Sequence, residues 1–196
     1  NNDKLSLDKF RAPQNGYWQF SINDIESFIY AKRSNTLDDF FKSKILGIRE
    51  VVDDSHLLEY GKWVHKYIEE YCNEYRENRE VNGNLLLEKF LIEIEKYLEI
   101  DKKLFNKYSE RFIKAANNIS NRFRGLDDLP DNNEYPISYI IEDQKASLKG
   151  RIDAFKLNDQ GYRLMDFKSS GIDKTIDSLN KKYKDNIQLD FYAYYL

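Results

Sequence analysis

The chain holds one cysteine, Cys72, in 196 residues. A lone cysteine excludes an internal disulfide framework. It also excludes a zinc or iron–sulfur site ligated by cysteines of this chain alone. No apolar run reaches the ~18 residues that a membrane span needs, and no signal peptide is visible, so a cytoplasmic location is the default expectation. There is no excess of basic charge: 31 Lys and Arg stand against 34 Asp and Glu. Any nucleic-acid contact must therefore come from a local patch and not from a global field. A phosphate loop of the Walker type and an internal repeat are both missing. Histidine is scarce too, with only His56 and His65. His56 sits at an expected helix start and reads as surface.

What is present suits a globular protein. With 41% hydrophobic and 33% charged residues, the chain can build one domain with a proper core, or one domain plus a helical insertion. It starts without Met and stops inside the apolar run Tyr194-Tyr195-Leu196, which points to a piece of a longer protein.

Residues 1–19 read as irregular. Ser21 can cap a helix, with Asp24 in its positive first turn. A second short helix is expected from Leu37 to Leu46, ending at Gly47. From about Ser55 to Glu77 the residues Tyr60, Trp63, Val64, Tyr67, Ile68, Tyr71 and Cys72 recur at helical spacing. His65 borders that stripe. It is either a histidine packed beside aromatic neighbours or a ligand, since neutral imidazole binds metals readily. Two more helices are expected over 85–99 and 101–124, the second capped by Asp101. From Glu134 the period changes to that of strands. A strand over Tyr135–Ile141 is followed by a hairpin, a short helix from Asp173 to about Tyr183, and a last helix from about Asp185, with Leu189, Tyr195 and Leu196 on its buried side.

The hairpin, residues 147–168, organises the rest. Its turn is Asn158-Asp159-Gln160-Gly161, where glycine makes positive φ cheap. If the strands are symmetric about that turn, paired residue numbers sum to 319, and Asp153 faces Asp166 with Cβ atoms roughly 5 Å apart. Lys168 then shares a face with Asp166. Opposed carboxylates repel. A hard divalent cation would resolve the repulsion; a surface hairpin with its register slipped by one would avoid it. Lys174, Lys181, Lys182 and Lys184 follow, either as a solvated run or as a place for phosphates. Gln188 and Tyr192 share a helix face.

Gly61-x3-His65, Gly150-x2-Asp153, Asp166-x-Lys168 and Gln188-x3-Tyr192 occur in that order. Together they resemble the PD-(D/E)XK nuclease superfamily, and within it the RecB-like branch. That branch includes nuclease domains of bacterial helicase–nucleases and of the CRISPR-associated adaptation nucleases. The segment Phe20–Ile48 is similar to the opening segment of AddB-type domains. The resemblance implies an α+β fold with an α/β/α restriction-endonuclease-like core. Its small mixed sheet would be flanked by helices, with a helical part over 20–124 and a catalytic sheet with closing helices over 134–196, all in one domain. It implies a Mg²⁺- or Mn²⁺-dependent deoxyribonuclease, an exonuclease of DNA repair or recombination. DNA is the implied partner, with a helicase domain or subunit beside it and no membrane.

By the same resemblance His65, Asp153, Asp166 and the carbonyl of Phe167 hold the metal. Asp153, Asp166 and Lys168 are catalytic, with Lys168 positioning or deprotonating the attacking water. Gln188 and Tyr192 stabilise the site and meet the nucleic-acid backbone. Apart from the resemblance, Arg151, opposite Lys168 in the hairpin register, and Lys181 and Lys182 of the basic run are candidate phosphate contacts. Glu134 falls where several relatives carry an acidic residue. Two departures stand out. Ile152 replaces the proline of the name-giving motif. The position where some relatives have a cluster-binding cysteine, after the first helix, reads Ala31-Lys32-Arg33, so no iron–sulfur cluster is expected.

Overall fold

The computed structural model describes residues 5–7, 15–50, 55–98, 101–167 and 187–196. In chain order the elements are β1 (Leu5–Leu7), β2 (Trp18–Ser21), α1 (Ile22–Arg33), α2 (Leu37–Phe40), β3 (Ile48–Glu50), α3 (Ser55–Asn78), α4 (Gly83–Tyr97), α5 (Lys102–Arg122), β4 (Asn132–Ile141), β5 (Ala146–Asn158), β6 (Gly161–Met165) and α6 (Ile187–Tyr195). This is the expected α+β class: a largely helical N-terminal half, and a small mixed sheet in the order β2–β5–β4, with β6 also paired to β5. The described residues fall into two compact units. One draws on 1–53, 135–152 and 174–196, the other on 54–134 and 153–173.

In the first unit, β2 runs parallel to the start of β5, from Trp18 against Ala146 to Ser21 against Lys149. β1 pairs antiparallel with β3. β1 and most of β2 lie where the sequence suggests irregular chain, because each alternates in polarity over only three or four residues and its partner is distant. Ser21 caps α1 as expected: its Oγ accepts from the Asp24 amide, and Asp24 Oδ2 accepts from the Ser21 amide. The buried Asp24 carboxylate is paired by Lys44 at 3.4 Å. The second helix is regular only to Phe40. It widens into a π-turn over Phe41–Ile45 and stops at Gly47, whose φ of +69° favours glycine.

One close approach in this unit depends on glycine. A Cβ at Gly150 would meet Ile137 Cγ1 at 3.2 Å and Tyr192 Cε1 at 3.3 Å. The bare backbone lets the Tyr192 ring lie against β5, where its hydroxyl donates to the Arg151 carbonyl at 2.6 Å. Tyr192 is therefore a buried residue of α6, while Tyr195 is exposed. The sequence predicts Tyr195 on the buried side. The carbonyl that anchors Tyr192 is invisible to helical periodicity.

In the second unit, α3, α4 and α5 bury one aromatic core. Phe90 stacks on Phe112 with centroids 5.6 Å apart, and Tyr67 meets both edge-on. Each such side chain stabilises the fold by about 1.5–3 kcal/mol on burial. Asp101 caps α5 by accepting from the amides of Lys103 and Leu104, and Asn82 caps α4 through the Leu85 amide. His56 is half-buried, edge-on to Tyr97, and so is not the surface residue expected.

The hairpin has the expected register. Ala154 pairs with Met165, Phe155 with Leu164, and Leu157 with Tyr162. The chain just before β4 is tied to β5 as well. The Asp131 amide donates to the Phe155 carbonyl at 2.8 Å, and Asp131 Oδ2 accepts from the Leu157 amide at 2.7 Å. Among the described residues no helix is long and apolar enough to cross a membrane.

Candidate active site

Three elements of the second unit converge on one spot. The buried stripe of α3 fixes the helix, so His65, at its border, projects in a set direction. The tie at Asp131 delivers Glu134 from the start of β4. The hairpin delivers Asp153 and the residues after β6.

His65 Nδ1 lies 3.0 Å from Glu134 Oε1 and 3.8 Å from Asp153 Oδ1. Its Nε2 lies 3.0 Å from the Phe167 carbonyl oxygen. The ring also stands edge-on to Phe167. The ladder does not continue to Asp153 and Asp166; instead the Phe167 amide donates to Asp153 Oδ2 at 2.6 Å. Chain symmetry thus gives the pairing, while the terminal rung is replaced by a side-chain bond that aims the Asp153 carboxylate.

The electrostatics follow from this crowding. The hydrogen bond that His65 donates to Glu134 raises the His65 pKa above its ordinary value. Burial opposes it, and the charge of Asp153 and the Phe167 carbonyl add to it. Both ring nitrogens face oxygen acceptors, so the metal-free site suits an imidazolium that donates twice. Burial pushes Asp153 up to about 6, against the Phe167 amide and the His65 charge; Asp166 and Glu134 push it further up.

The residues fit a hard cation. Ligand atoms of His65, Glu134 and Asp153 all lie within 4.8 Å of one another. Adjacent donors around a cation bound at ~2.1 Å lie roughly 3 Å apart, which is the separation of His65 Nε2 from the Phe167 oxygen. One imidazole among oxygen donors suits Mg²⁺ or Mn²⁺.

A family model of the PD-(D/E)XK nuclease superfamily matches residues 37–196. The chain belongs to this superfamily. No curated protein and no solved structure matches it. Membership in the PD-(D/E)XK superfamily implies phosphodiester hydrolysis of a nucleic-acid substrate with a divalent metal. These 196 residues hold a single cysteine, too few to ligate a cluster among themselves.

The expected site residues have different fates. His65, Asp153 and the Phe167 carbonyl are together. Asp166 stands outside the tight group of ligand atoms but near enough for its charge to act on Asp153. Gln188, Tyr192 and Arg151 form a chain in the first unit: Gln188 Nε2 donates to the Tyr192 hydroxyl at 2.7 Å, and that hydroxyl donates to the Arg151 carbonyl. The Arg151 side chain is exposed. Lys168, Lys181, Lys182 and the short helix expected from Asp173 lie outside the described residues. Glu134, which the resemblance marks only as a place where several relatives carry an acidic residue, stands beside His65 and Asp153. It is separated from His65 by 69 positions, and nothing in Asn132-Asn133-Glu134 marks a partner.

Proposed function

We propose that this member of the superfamily is a Mg²⁺- or Mn²⁺-dependent deoxyribonuclease of the RecB-like exonuclease type. It would act in DNA repair or recombination in the cytoplasm, beside a helicase domain or subunit. The observation that carries the reading is the meeting of His65 Nε2 with the Phe167 carbonyl at 3.0 Å, beside the Asp153 carboxylate.

His65, Asp153, Asp166 and the Phe167 carbonyl would hold the cation. A divalent ion there supplies polarisation of the phosphodiester and activation of water. The protein does the rest. Asp153 is aimed by the Phe167 amide. His65 is aimed by its two oxygen partners. Lys168, a compact cation two residues past Asp166, orients the attacking water or takes its proton. Gln188 and Tyr192 brace β5 at Arg151, and Arg151, Lys181 and Lys182 neutralise backbone phosphates. The other reading is a catalytically silent nucleic-acid-binding or scaffolding module of the same fold. The presence of His65, Asp153, Asp166 and Lys168 in one chain favours the enzyme.

The test is cleavage of end-labelled single- and double-stranded DNA in Mg²⁺, Mn²⁺ or EDTA, with Lys168→Ala in parallel. Metal-dependent cutting lost in the variant supports the proposal. Mn²⁺ binding by calorimetry without cutting supports the silent module. Absence of both overturns the assignment of the site.

A further inference from the structure

Glu134 combines two observations. Its φ is +51° inside a strand. Among the described residues, the other non-glycine residues with positive φ, Asn15, Asn35, Arg79 and Lys145, sit in turns or bends. A residue with a long side chain is uncommon in this region, and such strain persists only where the surroundings over-determine it. The second observation is the carboxylate at 3.0 Å from His65 Nδ1.

We infer that Glu134 is a positioning residue: it accepts the Nδ1–H of His65 and so presents Nε2 to the cation, beside the Phe167 carbonyl. The inference rests on the metal-centre reading above. Each nitrogen of the ring faces an oxygen, and only one can take a cation; the other keeps its hydrogen and needs an acceptor. A proton kept on Nδ1 faces a carboxylate, a charge-assisted bond about twice as strong as one to a neutral carbonyl. A proton kept on Nε2 would hold only the Phe167 carbonyl and turn the Nδ1 lone pair towards two carboxylates, Glu134 at 3.0 Å and Asp153 at 3.8 Å. The first tautomer is favoured. A carboxylate behind a ligating histidine fixes its ring and raises its basicity. The strained backbone at Glu134 is what delivers that carboxylate, since the strand itself is held in place by the Asp131 bonds to Phe155 and Leu157.

The test compares Glu134→Ala and Glu134→Gln with Asp153→Asn and wild type. Mn²⁺ affinity is measured by calorimetry, and the His65 ring is followed by ¹⁵N–¹H correlation in metal-free protein at alkaline pH. Circular dichroism verifies folding. Expected is a roughly 10–100-fold weaker affinity for Glu134→Ala, with rescue to within a few-fold in Glu134→Gln, whose amide oxygen can still accept. The wild-type ring carries its proton on Nδ1, and Glu134→Ala loses that preference. Two results overturn the inference: Glu134→Gln as weak as Asp153→Asn, which makes Glu134 a direct ligand, or Glu134→Ala binding like wild type. If wild type itself binds no Mn²⁺, the metal-centre reading fails first, whatever the ring tautomer shows.

Discussion

Replacing Asp153 by asparagine should stabilise the metal-free protein at alkaline pH while abolishing metal binding. The carboxylate is pushed from 3.8 up to about 6, chiefly by burial. Each pH unit corresponds to about 1.36 kcal/mol, so the cost of ionising it in the fold has a ceiling of roughly 3 kcal/mol. Residual solvent contact screens part of this, leaving about 1–2 kcal/mol. Because the folded pKa lies above the unfolded one, the wild type carries no penalty below pH 4. It loses stability as pH rises through 6, and the loss is then constant. Asparagine keeps an oxygen for the Phe167 amide and never ionises. In EDTA the variant should melt with the wild type near pH 4 and roughly 2–8 °C above it near pH 8. Added Mn²⁺ should raise the melting temperature of the wild type and leave the variant unmoved. Thermal melts from pH 4 to 8 would decide. A variant less stable than wild type at pH 8, or a difference that ignores pH, would refute the reasoning and make Asp153 mainly a clamp on the Phe167 backbone.

Two further perturbations test the packing. Gly150→Ala brings a methyl group to within 3.2–3.3 Å of Ile137 and Tyr192; it should cost about 1–3 kcal/mol by overpacking, read from urea denaturation. Phe90→Ala removes a fully buried ring from the stack with Phe112 and should cost about 3–5 kcal/mol; a melting temperature within a degree of wild type would contradict that role.

Local chemistry was the legible part of this sequence. The turn Asn158–Gly161 and the alternation on either side fix the hairpin register, because a slip of one residue would turn Ile152 and Ala154, both fully buried, towards solvent. The stripe from Tyr60 to Tyr71 gave α3, and Ser21 and Asp101 gave two caps. What escaped depends on partners distant in the chain. β1 and β2 exist because of Ile48–Glu50 and Ala146–Lys149. The choice of Tyr192 over Tyr195 depends on the carbonyl of Arg151 and the missing Cβ of Gly150. For His65, the sequence left packing and ligation open. The structure gives it both an aromatic neighbour and two oxygen partners, one 69 and the other 102 positions away.

That last separation bears on the order of folding. The aromatic core of α3–α5 closes through contacts among residues 60–129. The bond between His65 and Phe167 must close a far longer loop for one hydrogen bond. As the chain is synthesised from its N-terminus, the three helices can pack before the hairpin exists. On that order the active site would be an addition to the helical core, completed when Met165 and Phe167 pack against it and the Phe167 carbonyl reaches the His65 imidazole.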